Sequence, residues 1–369
     1  MNIPFFSFDK MQLNCKDEIK EEVGKVIDSN WYVLGKRLFE FEKVFAKYSQ
    51  TTYALGVGNG MDALLLSLLA LGIGKGDEVI VPAHTFIATF MAVTQTGAIP
   101  VPVDVASETA NINPNLIEKS ISKNTKAIIP VHLYGASCNM EEILTVAKKY
   151  NLKVIEDNAQ AVGGTFKGKK TGSFGDVNAT SFYPIKNLGA LGDAGGITTN
   201  NLDIYQKIQK IRNYGSSEKY VHDRVGVNSR MDEIQAAVLS VKLKYLDEWN
   251  RDREKIAEIY WENLNLIGDL KLFASNKYQF SVNHIFAIRS KKRDELQTFL
   301  QKNGIETLIH YPIPPHLQKA YFELGYKKGN FPIAEEIAKT VLSLPIYPGL
   351  KSSEQDYIIK TIRNFFEKS

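Results

Sequence analysis

The chain has 369 residues, 44% of them hydrophobic, and a formal net charge of +4, enough for one large and one smaller domain without covalent staples. Its basic residues are interleaved with acids: the run Lys291, Lys292, Arg293 passes at once into Asp294 and Glu295, a solvated helix start rather than a nucleic-acid face. Two distant cysteines, Cys15 and Cys138, suggest neither a disulfide framework nor a metal site, and fit a reducing cytoplasm.

The first residues, MNIPFFSFDKMQLN, mix acid and base and lack the apolar stretch of a signal peptide. No apolar run approaches the roughly 18 residues that span a bilayer, so no membrane partner is expected. From about residue 54 to 200, short apolar runs alternate with helical periodicity. A helix over 61–71 leads to a strand at 78–82. A helix-like stretch at 87–96 then leads to a strand at 99–105, and another strand follows at 126–133. A helix over 140–150 precedes the strand 153–156, and a further strand covers 178–183. Short apolar strands separated by helices predict an α/β fold whose central sheet is mostly parallel and covered by helices.

The long helical stretch 231–264 is expected to break near 246–250, dividing a large domain, 1–248, from a small one, 249–369. Beyond the break, strand-like 280–288, helix 293–303, strand-like 306–311 and helices 331–342 and 354–367 describe a small α+β domain. Ile358, Ile359, Ile362, Phe365 and Phe366 share one face of the last helix.

Three segments carry chemistry. In SFYPIKNLGALGDAGG (181–196), a strand delivers Lys186 into a turn with four glycines at 189, 192, 195 and 196, where backbone and ligand can approach closely. A surface lysine ahead of a glycine-rich hairpin is the plain alternative. In KVIEDNAQ (153–160), 29 residues upstream of Lys186, Asp157 closes an apolar strand at the edge where open α/β sheets bind ligands. A buried carboxylate there needs a cation or strong hydrogen bonds, unless Asp157 caps a following helix. Pyridoxal phosphate satisfies both sites: the aspartate keeps the pyridine nitrogen protonated and the lysine amine condenses with the aldehyde. In GVGNGMD (56–62), a glycine turn opens into the first helix, where free N–H groups and the helix dipole favour a phosphate. The spacing is not that of a dinucleotide loop, and tight helix entry explains it equally well. Phe86, after the strand 78–82, offers a ring for stacking on a cofactor or for core packing. The six histidines have no metal-binding spacing, so no metal is assigned.

In this order the motifs resemble the DegT/StrS family of nucleotide-sugar aminotransferases. The resemblance runs from WYVLG (31–35) through GVGNGMDAL (56–64), VPAHTFIAT (81–89), VIEDNAQA (154–161) and GVNSRMDEIQAA (226–237) to HYPIPPHLQ (310–318) and LSLPIYP (342–348). It implies an aspartate-aminotransferase-like fold of type I, pyridoxal 5'-phosphate as cofactor, and a homodimer with shared active sites. By resemblance Lys186 bonds the cofactor aldehyde, Asp157 pairs with the pyridine nitrogen, and Gln160 lies beside the phenolic oxygen. Phe86 stacks on the ring. The turn Asn59–Gly60–Met61, the Ser181 hydroxyl and Asn228 of the other subunit hold the phosphate. Relatives often carry a histidine where this chain has Val162, and Ser or Thr where it has Asn59 and Met61, which shifts phosphate binding onto backbone amides. The stretch KNLGALGDAGG is similar to the branch that aminates C3 of dTDP-linked 3-keto-6-deoxyhexoses, with L-glutamate as amino donor. Lys219 has the charge for a diphosphate, Tyr183 and Tyr220 the hydroxyls for a hexose, and His310, Tyr311 and His316 a position to close over the nucleotide. Structural or solvated roles remain open for each of these six. An enzyme acting at C4, and a regulator that binds the cofactor without turnover, are the competing expectations.

Overall fold

The computed structural model describes residues 1–274 and 278–367. In chain order, α1 (Asp9–Ser29) and α2 (Lys36–Tyr48) precede β1 (Tyr53–Val57), α3 (Gly60–Ala70) and β2 (Glu78–Pro82). Then come α4 (Ala88–Gln95), β3 (Ile99–Val103), the single turn α5 (Pro114–Ile117), β4 (Thr125–Ile128), α6 (Met140–Lys149) and β5 (Lys153–Asp157). The short β6 (Thr165–Phe166) and β7 (Lys169–Lys170) lead to β8 (Val177–Ser181), β9 (Gly195–Thr199) and α7 (Leu202–Ile211). A hairpin of β10 (Ser216–Glu218) and β11 (Val221–His222) is followed by α8 (Glu233–Leu243) and α9 (Leu246–Leu264). The remainder comprises β12 (Lys271–Leu272), β13 (Gln279–Phe280), β14 (Phe286–Arg289), α10 (Arg293–Lys302), α11 (Pro332–Thr340), β15 (Val341–Leu344) and α12 (Ser352–Glu367).

The central sheet has the order β1-β9-β8-β5-β4-β2-β3. β9 pairs antiparallel with both its neighbours, and every other pairing is parallel. Both faces are covered, which is why these strands read as apolar runs rather than alternating ones. On one face Leu64, Leu68, Phe90, Ile155 and Ile197 share a core beneath α3, α4 and α7. On the other, Ile80, Ile128, Ile143 and Val154 pack with α6. Pro100 and Pro102 fall on β3, an edge strand, where the missing N–H donors are tolerated. Helix α2 is held from outside: Glu233, at the start of α8, accepts the N–H groups of Gly35, Arg37 and Leu38 at its N-terminus.

A second sheet, β12-β14-β15, packs on α9, α10 and α12 through Tyr260, Ile288, Leu300, Leu344 and Ile362. Ile3 joins this core and bridges Ile305, so the first residues pack with the C-terminal sheet. Among the described residues, no helix is long and apolar enough to cross a membrane.

Several boundaries differ from the sequence reading. The strand expected over 280–288 is two pieces, because Ser281 and Asn283 bond to each other and turn the chain between β13 and β14. β13 pairs with β6 instead of with the second sheet. The strand expected over 306–311 is reduced to an isolated bridge, Leu308 to Ser343, ahead of Pro312, which carries no N–H for a ladder. Residues 341–342 leave the expected helix and pair with β14, where their apolar side chains enter the second core. Pro130 ends regular pairing in the strand expected to reach 133. The long helical stretch breaks at Lys244–Tyr245, slightly earlier than expected. Helices α1 and α2 are additions to the sequence reading.

Candidate active site

The carboxyl ends of β1, β2, β5 and β8 and the start of antiparallel β9 meet at one edge of the central sheet. There a cavity of about 520 Å³ opens, with Lys186, Asp157, Gln160, Ser181 and Phe86 in its wall. The phosphate-turn residues Asn59, Gly60 and Met61 line it, as do Tyr183, His310 and Tyr311. Asn228, Lys219, Tyr220 and His316 are absent from this wall.

Lys186 stands in the turn after β8, its backbone N–H donating to the Tyr183 carbonyl at 2.8 Å. The turn closes tightly because Gly189 lies against Pro184: a Cβ at Gly189 would meet the Pro184 carbonyl oxygen at 2.0 Å. The reading of Lys186 as a solvated surface lysine is therefore set aside. Burial pushes its ammonium down from 10.5 to about 8, against the attraction of Asp157.

Strand period places Asp157 on the face it shares with Ile155, toward α3 and α4. Its Oδ1 accepts the Ala159 N–H at 3.2 Å and its Oδ2 the Thr89 hydroxyl at 3.1 Å. No helix follows for it to cap; the next element is β6. Burial drives the Asp157 carboxyl up from 3.8, opposed by those two hydrogen bonds and by Lys186. A cationic ring nitrogen on its cavity side would supply a countercharge for this carboxylate.

The turn at 56–62 resolves as entry into α3. Asn59 caps the helix by accepting the Asp62 N–H at 2.8 Å, and Ala63 N–H reaches the Asn59 carbonyl at 3.1 Å. The Gly60 and Met61 amides have no acceptor among the described residues and face the cavity. A Cβ at Gly60 would lie 2.6 Å from the Ser181 Cβ, so only glycine brings these amides beside the Ser181 hydroxyl. Positive dipole, free amides and a hydroxyl make a phosphate cradle.

Gln160 ties the large sheet to the later chain: its Oε1 accepts the Tyr134 N–H at 2.6 Å and its Nε2 donates to the Tyr311 hydroxyl at 3.1 Å. Phe86 is 53% exposed, and its ring centroid lies 5.4 Å from that of Tyr311. An exposed ring beside a cavity that holds a buried acid without a cationic hydrogen-bond partner, a depressed lysine and open helix N-terminal amides fits a phosphorylated pyridine. The residues present accommodate pyridoxal phosphate.

The profile of the DegT/DnrJ/EryC1/StrS aminotransferase family matches residues 14–363. The chain belongs to this family. An Aneurinibacillus thermoaerophilus relative named dTDP-3-amino-3,6-dideoxy-alpha-D-galactopyranose transaminase is 47% identical to this aminotransferase over 364 residues, covering 98% of this chain and 99% of that one. The erythromycin biosynthesis sensory transduction protein EryC1 of Saccharopolyspora erythraea is 44% identical over 363 residues, covering 98% and 99%. A crystal structure of S. venezuelae DesV in complex with a ketimine intermediate superposes with a TM-score of 0.98 at 42% identity, covering 100% of this chain and 99% of that one. The expected fold of type I is thereby borne out.

Four residues named from the sequence lie outside the aminotransferase cavity, and one of them, Asn228, was expected to serve the other subunit's site. Lys219 and Tyr220 sit on the exposed β10–β11 hairpin, the Lys219 ammonium 5.2 Å from the Tyr220 ring centroid. Asn228 is exposed in a bridge with Asn213. His316 is fully buried and bonds Glu335 at 3.2 Å, so it fastens its own loop rather than opening toward a ligand. Conversely, sequence reasoning missed Thr89, Asp193 and His284, all in the cavity wall. Thr89 carried a signal, since Thr85 and Thr89 are four apart in VPAHTFIAT and share a 3.0 Å hydrogen bond beside Asp157.

Proposed function

We propose that this aminotransferase is a cytoplasmic homodimer that uses pyridoxal phosphate to move nitrogen from L-glutamate to C3 of a dTDP-3-keto-6-deoxyhexose. The products are 2-oxoglutarate and a dTDP-3-amino-3,6-dideoxyhexose. The observation that carries this reading is the convergence of Lys186, Asp157 and the open amides of α3 on one cavity at the sheet edge. The name of the Aneurinibacillus relative and the stretch KNLGALGDAGG support the C3 position. Exposed Trp31, Tyr32, Phe39 and Val225 support a partner subunit, which would bring Asn228 and the β10–β11 hairpin toward a neighbouring cavity.

The bound cofactor supplies an electron sink for the carbon that carries nitrogen. Each residue then has a definite task. Asp157 would accept a hydrogen bond from the ring N–H and, as a carboxylate, would keep that proton in place. The Gly60 and Met61 amides and the Ser181 hydroxyl would hold the phosphate. Phe86 would offer its exposed ring for stacking on the cofactor. Lys186, with its ammonium depressed to about 8, exchanges a proton at Nζ near neutral pH, as a general acid and base requires. Tyr183, Tyr311 and His310 line the side on which a sugar would enter.

The test supplies purified protein with pyridoxal phosphate, L-glutamate and a dTDP-3-keto-6-deoxyhexose. The expected result is one 2-oxoglutarate per amino sugar, with NMR placing nitrogen at C3. A product aminated at C4 overturns the position, and glutamate left unconsumed with 3-keto and 4-keto sugars alike overturns the reading.

A further inference from the structure

Asn187, the residue after the lysine, belongs to a chain of side-chain hydrogen bonds whose direction is set by backbone carbonyls. At one end the Asn250 Nδ2 donates to the Val162 carbonyl at 3.1 Å, which leaves the Asn250 Oδ1 as an acceptor. The Asn187 Nδ2 donates to that oxygen at 2.7 Å and to the Val282 carbonyl at 3.0 Å. A carbonyl oxygen cannot donate, so neither amide can be turned around. Both N–H bonds of Asn187 are thereby used, and its Oδ1 can only accept. Its partner is His284 Nδ1, at 3.0 Å. Nδ1 must therefore carry the proton.

A neutral imidazole protonated at Nδ1 has a lone pair at Nε2. His284 is buried to 7% exposure, which drives its imidazolium well below the ordinary range, helped by the charges of Lys186, Arg253 and His310. Its Nε2 has no hydrogen-bond partner among the described residues, and the residue lines the same cavity wall as Lys186. Arg253 fixes the backbone here, with Nη1 reaching the Ile346 carbonyl at 2.7 Å and the His284 carbonyl at 3.4 Å.

We propose that the Asn250–Asn187–His284 chain locks His284 as the Nδ1-protonated tautomer, making its Nε2 a hydrogen-bond acceptor that positions the Lys186 amine. The imidazole takes no proton itself. Nε2 makes no hydrogen bond among the described residues; the donor assigned to it is the Lys186 amine on the same cavity wall, whose remaining valences would then point toward the cavity. His284 is thus a positioning residue, acting through the lysine. Its link to turnover rests on the proposed function above, whereas the tautomer does not.

The test has two independent arms. In cofactor-free protein labelled with ¹⁵N-histidine, the His284 signals, assigned as those lost in His284→Asn, should show a protonated Nδ1 and a bare Nε2. A protonated Nε2, or an imidazolium at neutral pH, overturns the proposal whatever the enzyme turns over. The second arm compares two variants. His284→Asn keeps a donor for Asn187 but has no atom at the Nε2 position, and should lower kcat about tenfold with little change in KM. His284→Gln places an oxygen near the Nε2 position and should recover part of that loss. Equal kcat in His284→Asn and the unmodified enzyme overturns the positioning role. Loss of pyridoxal-phosphate turnover in the unmodified protein would instead strike the functional reading and leave the tautomer standing.

Discussion

Glu156 and Asp157 are adjacent carboxylates on β5, both buried, and the pleat sends them to opposite faces of the sheet. Glu156 is saturated. It accepts the N–H groups of Gly172, Phe174 and Gly175 at 2.9, 2.5 and 2.9 Å, and the His132 Nε2–H at 2.7 Å. The proton on His132 is placed by its Nδ1, which accepts the Cys138 N–H at 3.1 Å. Asp157 has two donors, at 3.1 and 3.2 Å, and a remaining side that opens on the cavity. The same chemical group is structural where its acceptor sites are filled and functional where they are left for a ligand.

The sharpest way to break this contrast is Asp157→Asn. Removing the anion from a buried pair costs about 3–5 kcal/mol, so kcat/KM should fall about 10²–10⁴-fold. In the cofactor-free protein the same change should stabilise. The folded carboxyl binds its proton more tightly than the unfolded one, so stability falls as pH rises from 3.8 through the raised value, and the deficit persists above it. The asparagine variant escapes that deficit. Thermal melts of cofactor-free protein at pH 3 and pH 7 check the sign: the gain belongs at pH 7.

Glu156→Gln should act in the opposite sense. It points an NH2 group at donors already committed to a carboxylate, and should cost about 2–3 kcal/mol of stability while leaving kcat of the folded enzyme unchanged. Urea midpoints read the first quantity and kinetics at saturating substrate the second. A large loss of kcat without a shifted midpoint would erase the distinction between the two acids.

Lys186 completes the deficit on the Asp157 side. Its folded pKa is depressed from 10.5 to about 8, so burying the ammonium destabilises the cofactor-free protein below pH 8, and stability recovers as pH rises from 8 to 10.5. Lys186→Met should therefore stabilise that protein by about 1–2 kcal/mol at pH 7, with the gain fading above pH 10. A gain that grows with pH would show that the amine is charged and well paired.

How much of this was legible in the sequence depends on distance along the chain. The short apolar strand KVIED and the glycine turn after Lys186 are local, and they announced both the fold class and the two central residues. His284 left no local mark, because SVNHIFAIR reads as one apolar strand and its partner Asn187 lies 97 positions away. His316 misled for the same reason: its hydrogen-bond partner Glu335 is 19 residues on and invisible to spacing rules. Lys219 and Tyr220 were singled out by side-chain chemistry alone, and chemistry does not say which cavity a hairpin faces. Helix α2 is capped by a tertiary partner, Glu233, 198 residues from Gly35.

The smallest effect offers the finest test. Thr89 donates to Asp157 Oδ2 from one turn below the Thr85 hydroxyl, and this hydrogen bond is one of the two that oppose the upward push of burial on the carboxyl. Thr89→Val conserves volume and removes that donor. A charge-assisted hydrogen bond at this site should contribute about 1 kcal/mol, so kcat/KM should fall roughly fivefold. Because the Asp157 carboxyl then holds its proton more tightly, the loss should deepen as pH is lowered. In Asp157→Asn there is no charge left to support, so adding Thr89→Val should cost almost nothing further. A double-mutant cycle measures that coupling. Additive losses would mean that Thr89 acts on the cavity by packing, and that the threonine pair is no part of what separates Asp157 from Glu156.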